Sequence, residues 1–468
     1  KAYKLNKNSG TALIRLYHQK QICCDWDQNK QIKTDLIKYI NNLDSKKSEV
    51  VEPFPLLSIT DDPRVHLKTS VHYAKSIQSE IHQSLIINKH NEKNNYDFQK
   101  IKIAYISADY QNHPVYNSMI ELFELHDRNN FEVHAISYGE KSKDNLLNNR
   151  LFKSFDYFHD VKNFSDKEIV ELILSLKIFI AIDLMGYTKK YRPNIFVMKP
   201  APLQISYLGY LGTLGGEYID YIIADKYVIP EKNKKFYTEK VVYMPSCYQV
   251  NCKIPKISTG NISKEMYGLP EKSIIFGCFN NNYKITKEIF YVWMEILKEV
   301  NKSVLWLYES NKWSSKNLIK EARKYKISSD RIVFAKKLTV KEHLKRITLM
   351  DLFLDTFPYN AGATCSQALS MGVPVLTLMG NSFTSRLASS QLKSIGMPEL
   401  IAENFKDYKS LAIDLANNKQ KILGMKVKLR SKINESSLFN SKVFTSNLEI
   451  FYKKIASEYI KQRDQHIH

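Results

Sequence analysis

Between Lys102 and Leu378, short apolar runs alternate with segments of helical length, and this alternation restricts the fold more than any other feature. The first series has runs at Ile103–Ser107, Phe131–Tyr138, Ile178–Leu184 and Ile222–Ala224. The second has Ile274–Phe279, Val304–Leu307, Ile332–Phe334, Leu352–Leu354 and Val375–Leu378. Strands that are apolar throughout, each followed by a helix, predict parallel sheets covered on both faces. The helix after the first strand of the second series is the plainest. Thr286 is its expected N-cap, and Ile289, Phe290, Trp293, Ile296, Leu297 and Val300 form one core-facing stripe. Two doubly wound α/β halves of roughly 150 residues each follow.

The expected division is a helical segment over 1–90, an N-terminal Rossmann-like domain over 101–262, a C-terminal Rossmann-like domain over 263–425, and C-terminal helices over 426–468. In the first segment Leu13, Leu16 and Tyr17, then Leu36, Ile37, Ile40 and Leu43, recur at helical spacing. Pro53-Phe54-Pro55 breaks that pattern, and Asp62-Pro63 opens another helix. No chemistry is visible there. The polar stretch 87–100 is expected to be a linker. A chain that opens on Lys1 is expected to be preceded by further sequence.

The 69 Lys and Arg against 48 Asp and Glu leave a formal charge of +21. That invites a nucleic-acid partner, but 58 of the cations are Lys and only 11 are Arg, and they are spread along the chain. Base and phosphate readers favour the planar guanidinium, so a solvated surface and no nucleic-acid partner are expected. No run of about 18 uncharged apolar residues appears, so no membrane span is expected. No signal peptide is visible either. Cys23, Cys24, Cys247, Cys252, Cys278 and Cys365 are not at metal-site spacings and suggest a reducing, cytoplasmic setting. No metal is expected.

In open α/β sheets, ligands bind where strands end, so the loops after strands should carry the chemistry. Asp355–Val375 runs from a strand end through Phe357-Pro358-Tyr359-Asn360-Ala361-Gly362 into a helix near Thr364–Met371, stopped by Gly372. The free N–H groups of such a helix start suit an anion, and Thr364 and Ser366 add hydroxyls. Asn280-Asn281-Asn282-Tyr283-Lys284 follows another strand, and Lys284 could meet charge developing on a diphosphate. His113, in Asn112-His113-Pro114, precedes a helix as an acid, a base or a simple cap. Gly186 ends a further strand. Leu208-Gly209-Tyr210-Leu211-Gly212 and the glycines beyond it form either a ligand-hugging loop or a tight connection. His343 and Arg346, three apart on one helix face, could grip a base or ribose or be solvated.

Taken together, Asn112-His113-Pro114, Gly186-Tyr187-Thr188, Pro200-Ala201-Pro202 with Leu208-Gly209-Tyr210, Phe279-Asn280 with Tyr283-Lys284, and Ser385-Arg386 with Ala388-Ser389-Ser390-Gln391-Leu392 resemble the catalytic region of O-linked N-acetylglucosamine transferases. The SPINDLY-type protein fucosyltransferases share much of this pattern. The resemblance runs from about Ile22 to about Leu438. It implies a GT-B fold, two doubly wound domains facing across a cleft, and an inverting, metal-independent transfer from a nucleotide-sugar donor to protein or peptide acceptors. Upstream helical tetratricopeptide repeats are usual in that family. By the same resemblance, Lys284 and His113 are catalytic. Asn281, Tyr283, His343, Arg346, Thr364, Gln367, Leu208, Gly209 and Tyr210 bind the donor.

The chain departs from the family pattern in places. Ala363-Thr364 stands where two adjacent threonines are usual, and Gln367 where an acidic residue faces the ribose. Gly362 lacks the histidine of the animal enzymes, Asn281 replaces a glutamine, and Leu211 replaces a proline. The leading expectation is transfer of N-acetylglucosamine from UDP-GlcNAc to Ser or Thr hydroxyls. The alternatives are a GDP-fucose or UDP-hexose donor, or a nucleotide- or peptide-binding module without turnover.

Overall fold

The computed structural model describes residues 9–44, 48–81, 99–253, 260 and 262–467. Apart from Gln99 and Lys100, the expected linker lies outside the described residues. The chain divides into two compact units. Unit 1 comprises the described residues of Lys1–Val51, Pro55–Val65 and Ile254–Leu438, and unit 2 those of Glu52–Phe54, His66–Lys253 and Phe439–His468.

Besides Asn145–Lys153 and Pro193–Val197, the helices are α1 (Gly10–Ile22), α2 (Asn29–Asn41), α3 (Pro63–Glu80), α4 (Pro114–Leu125), α5 (Asp166–Ser175), α6 (Lys287–Glu299), α7 (Lys312–Lys324), α8 (Val340–Ile347), α9 (Ala363–Ser370), α10 (Leu387–Ile395), α11 (Phe405–Asn417), α12 (Lys419–Glu435) and α13 (Ser441–Ile467). Several short turns lie between them. Pro53–Leu56, expected to break the helical pattern, is itself a single helical turn. Proline is tolerated there because a first turn has no hydrogen bond for it to remove.

Unit 2 holds a parallel sheet in the order β3-β2-β1-β4-β5-β6-β7. Its strands are β1 (Ile101–Ser107), β2 (Phe131–Ser137), β3 (Tyr157–Asp160), β4 (Ile180–Asp183), β5 (Leu203–Ser206), β6 (Tyr221–Ala224) and β7 (Lys240–Tyr243). Unit 1 holds a second parallel sheet in the order β10-β9-β8-β11-β12-β13. Those strands are β8 (Ile274–Cys278), β9 (Ser303–Tyr308), β10 (Ile332–Ala335), β11 (Leu352–Leu354), β12 (Val375–Leu378) and β13 (Ile401–Ala402). Both are the doubly wound sheets expected from the alternation.

The strand order reverses once in each sheet, between β1 and β4 and between β8 and β11. Adjacent loops then leave in opposite directions, and a crevice opens at the carboxyl ends of those strands. The loops at the unit 2 reversal carry Asp109–His113 and Asp183–Gly186. Those at the unit 1 reversal carry Phe279–Lys284 and Asp355–Gly362. The topology therefore collects most of the candidate residues at two points.

Local signals agree with the elements. Thr286 caps α6, its hydroxyl accepting from Ile289 N at 3.4 Å. Thr339 and Glu342 form a capping box on α8, as Ser165 and Glu168 do on α5. Gly372 follows the end of α9 at φ +74°, where a β-carbon would be strained. Within unit 2, α13 lays Leu448, Tyr452, Ile455 and Ala456 into the core beneath β1 and α4. Nitrogens of buried His126 lie 2.8 Å from the Tyr105 hydroxyl and 2.9 Å from Glu449 Oε1, tying that helix in place.

Candidate active site

The centre of unit 1 is the Asp355 carboxylate, 1% exposed at the end of β11. Oδ1 accepts from Thr356 N (2.7 Å), Ala361 N (2.7 Å) and Asn280 Nδ2 (3.1 Å), and Oδ2 accepts from Thr377 Oγ1 (2.7 Å). This carboxylate folds the whole 355–361 loop around itself. Burial pushes its pKa up to about 6, although the bonds from Thr377, Ala361 and Thr356 and the charge of Lys284 oppose that.

Lys284 closes the short 3-10 turn Asn282–Lys284 after β8. Its Nζ donates to the carbonyl oxygen of Asn360 at 3.0 Å and stands 3.7 Å from the centre of the Tyr359 ring. A carbonyl dipole and an aromatic face are weak substitutes for water, so burial lowers its pKa from 10.5 to about 8. Only Asp355 and, more weakly, Cys278 pull it back up. The result is an ammonium short of negative charge.

The N-terminus of α9 adjoins this lysine's partners. Gly362 caps it: the Cys365 and Ser366 N–H groups donate back to Gly362 O at 3.0 and 3.2 Å, and those of Ala363 and Thr364, at the start of the first turn, have no intrahelical carbonyl. Thr364 donates its hydroxyl proton to Asn280 Oδ1, and Asn280 Nδ2 donates to Thr356 Oγ1 at 2.7 Å. Thr364 thus braces the β8 loop against α9. Asn281 caps the 3-10 turn, accepting from Tyr283 N at 3.5 Å, and is exposed. The Tyr283 ring sits edge-on to Tyr359 at 6.1 Å.

A second cluster stands beside it. The His343 ring is 5.3 Å from that of Phe279, and the Arg346 guanidinium lies 4.8 Å over the same ring. Arg346 is 1% exposed. Its Nη1 donates to Lys336 O at 2.5 Å and its Nη2 to His343 Nδ1 at 2.9 Å. Burial and that guanidinium lower the His343 pKa to about 4, against a hydrogen bond with Gln367. Arg346 is therefore not a solvated surface cation.

The helical segment in which no chemistry was visible backs the lysine loop. The Cys24 thiol lies 3.7 Å from Asn282 O, and the His18 ring is 5.7 Å from that of Tyr283. Asn311 Nδ2 donates to Ile22 O (3.0 Å) and Asn317 Nδ2 to Cys23 O (2.9 Å). Farther along, Asp61 accepts from Asn381 N (2.8 Å), Ser382 N (3.0 Å) and Ser385 Oγ (2.5 Å), so it organises the loop after β12.

In unit 2, His113 caps α4, and Asp109 Oδ2 lies 3.4 Å from its Nδ1. That nitrogen also accepts from Val115 N at 3.4 Å, which it can do only when unprotonated. Burial lowers its pKa, Asp109 opposes this and Lys190 adds to it, so the imidazole is neutral at pH 7. Asp183, at the end of β4, accepts from Met185 N (2.8 Å) and Gly186 N (3.1 Å). Packing alone accounts for two of the glycines. A β-carbon on Gly209 would stand 1.9 Å from Leu184 O, and one on Gly186, at φ +53°, would stand 2.2 Å from Tyr210 Cβ. Leu208 holds a left-handed φ of +64° to make that approach, and Tyr210 is buried with its ring 5.4 Å from Tyr187.

Unit 1 thus brings together Lys284, Tyr283, Asn281 and Thr364 in one group, and His343, Arg346 and Gln367 in another. His113, Leu208, Gly209 and Tyr210 belong to unit 2. Sequence reasoning gave no role to Thr356, Tyr359 or Asp109, and named Asn280 only among the amides suited to a diphosphate. Asp355 was visible only as the end of a strand. Their one shared signal is position within a few residues of the strands flanking the reversal. Among the described residues, no group of three or more His, Cys, Asp and Glu side chains could hold a metal ion. No helix there is long and apolar enough to cross a membrane.

The glycosyl transferase family 41 model matches residues 23–254 and 253–448. An Arabidopsis thaliana protein named "Probable UDP-N-acetylglucosamine--peptide N-acetylglucosaminyltransferase SEC" is 32% identical over 459 residues, which cover 94% of this chain and 46% of that protein. A Caenorhabditis elegans UDP-N-acetylglucosamine–peptide N-acetylglucosaminyltransferase is 25% identical, with 92% of this chain and 47% of that protein covered. The chain spans about half the length of these relatives. A solved structure of a Thermobaculum terrenum O-GlcNAc transferase mutant superposes with a TM-score of 0.82 at 23% identity, over 99% of this chain and 87% of that one. That likeness extends the GT-B fold to both sheets, and the family match covers both as well. The chain belongs to glycosyl transferase family 41.

Proposed function

We propose that this chain is the catalytic region of a protein O-glycosyltransferase that moves N-acetylglucosamine from UDP-GlcNAc to Ser or Thr hydroxyls of proteins. The observation that carries the proposal is Lys284, an ammonium lacking negative charge at the strand-order reversal, next to the open N-terminus of α9. A diphosphate fits both. Its oxygens accept from Nζ and from the first-turn N–H groups, and its charge raises the Lys284 pKa. The names of the relatives support UDP-GlcNAc as the donor and a peptide as the acceptor.

The acceptor hydroxyl attacks the anomeric carbon from the face opposite UDP, which inverts the configuration. Lys284 neutralises the charge that gathers on the leaving diphosphate, the task a metal ion performs in other transferases, and no metal is required. His113, neutral at pH 7, can take up a proton. Asn281, Tyr283, Thr364 and Gln367 shape the donor side of unit 1. Leu208, Gly209 and Tyr210, in unit 2, are assigned to the sugar by the family pattern. No disulfide joins any of the six cysteines, which suits a reducing cytoplasm.

The test is transfer of labelled sugar from UDP-GlcNAc to Ser/Thr peptides, with a chelator present. Transfer that Lys284→Ala lowers by about 10²–10³-fold is expected. Transfer from GDP-fucose or UDP-glucose instead, or binding of UDP without any turnover, overturns the assignment.

A further inference from the structure

Ser385-Arg386 stands in a loop whose anchor comes from a distant part of the chain. The loop runs from Leu378, the end of β12, to the 3-10 turn Thr384–Arg386 that precedes α10. Asp61, from the helical segment, places its carboxylate inside it. Oδ2 accepts from Asn381 N (2.8 Å) and Asn381 Nδ2 (3.2 Å). Oδ1 accepts from Ser382 N (3.0 Å), Ser382 Oγ (2.9 Å) and Ser385 Oγ (2.5 Å). Bonds to a carboxylate are the stronger kind, and negative charge is favoured where N–H groups open a helical turn. The fit is close, since a β-carbon on Gly380 would stand 2.4 Å from Oδ2. Leu57 O, four residues earlier, accepts from Thr384 Oγ1 at 3.2 Å. Both Leu57 and Asp61 belong to unit 1, as the loop does.

The loop in turn holds the acceptor of Lys284. Its Thr384 carbonyl accepts from Asn360 N at 2.9 Å, and the Asn360 carbonyl accepts from Lys284 Nζ at 3.0 Å. Asn360 is fully buried, and its side chain donates to Thr356 O at 2.8 Å. The peptide group of the Asn360 carbonyl is fixed by its other end, Ala361 N, which donates to Asp355 Oδ1 at 2.7 Å. The lysine's acceptor is thus pinned from two directions, by Asp355 and by the loop that Asp61 folds. We infer that Asp61 is a positioning residue for Lys284, acting through Thr384 and Asn360. On the donor reading above, on which this inference rests, Asp61 fixes where Nζ meets the charge of the diphosphate. Residues 57–61, where the sequence showed no chemistry, then serve the catalytic lysine.

The experiment uses the full chain. In Asp61→Asn one carboxylate oxygen becomes an NH2 group, which faces the loop's donors as another donor. The Asn360 carbonyl loosens, water reaches Nζ, and Lys284 should titrate nearer 10.5 than about 8. An NMR titration of 13C-labelled lysine reads this without any nucleotide, the Lys284 signal being the one missing from Lys284→Ala. Loss of a negative charge acting through space alone would lower the pKa, so the sign separates the two causes. Gly380→Ala keeps the charge but pushes the carboxylate aside, and should raise the pKa likewise; it decides the matter if Asp61→Asn does not fold. In transfer assays Asp61→Asn should lower kcat roughly 10- to 100-fold, the cost of a displaced catalytic group. Added to Lys284→Ala, it should cost no more than about twofold, because the residue it positions is gone. An unchanged or lowered Lys284 pKa in Asp61→Asn overturns the proposal, as does an equal fold-loss of transfer in the two backgrounds. A wild type that transfers no sugar defeats the donor reading, and the lysine titration still decides the role of Asp61.

Discussion

If Lys284 meets the donor diphosphate as proposed, its lowered pKa makes nucleotide binding a proton-coupled event. The side chain falls from 10.5 to about 8 in the ligand-free protein. The difference of 2.5 units corresponds to about 3 kcal/mol at 1.36 kcal/mol per unit, the free energy by which the site disfavours the ammonium. A bound diphosphate supplies the missing charge and raises the pKa again. Well below pH 8 the lysine is already charged and binding takes up almost no proton, about 0.1 at pH 7. At pH 8 binding takes up about half a proton, and at pH 9 about 0.9. If the bound lysine titrates above pH 9, UDP affinity falls about tenfold between pH 7 and pH 9, from the ratio of (1 + 10) to (1 + 0.1). Calorimetry in buffers of different ionisation enthalpy measures the proton uptake directly. Lys284→Ala should bind UDP more weakly at pH 7 and lose this uptake. The reasoning fails if the wild type takes up no proton at pH 9, or if the alanine variant takes up as much. For the free protein the sign is that of a base with a depressed pKa. The unfolded chain holds more protons between pH 8 and 10.5, so this group's penalty fades as the pH rises through that window.

Four further outcomes are expected. Lys284→Ala should lower transfer by about 10²–10³-fold, the range for losing one stabiliser of developing charge, with the melting temperature kept. Asp355→Ala removes a buried acceptor from four donors and should destabilise by about 3–5 kcal/mol in denaturant titration; a loss below 1 kcal/mol would contradict its place at the centre of the loop. Gly209→Ala meets Leu184 O and should destabilise strongly, whereas Gly424→Ala, inside α12 with open space around it, should stabilise by about 0.5–1 kcal/mol. Burial lowers the His126 pKa below 6.5, so the unfolded chain binds more protons beneath that value and stability falls on acidification. That acid-side loss should shrink in His126→Gln, read as the melting temperature between pH 7 and pH 5.

The sequence carried the doubly wound architecture because its signal is local. Apolar runs such as Ile274–Cys278 and Leu352–Leu354 are buried on both faces and need no partner to be recognised. Strands that are short or partly polar were not legible. Tyr157–Asp160 is a sheet edge with mixed polarity, Leu203–Ser206 follows a Pro-Ala-Pro turn, and Lys240–Tyr243 is half-exposed. Only pairing in register with β2, β4 and β6 makes them strands. Thr286 and Gly372 announced helix ends, since capping is a matter of three or four residues.

The strand-end loop that carries Lys284, the loop that leads into the helix of Thr364, and the helix face of His343 were legible from the sequence by themselves. Their working state was not. The charge shortage on Lys284 needs Tyr359 and Asn360, 75 and 76 residues away in the chain, and the fold of the loop needs Asn280 against Asp355. Burial, which shifts the pKa of Lys284, Asp355 and His343, is a property of the packed sheet and has no local code. The sequence determined which residues stand at the ends of which strands. The tertiary structure decided which of them meet and which charges go unpaired, because those depend on the crossover between β8 and β11 that joins distant segments.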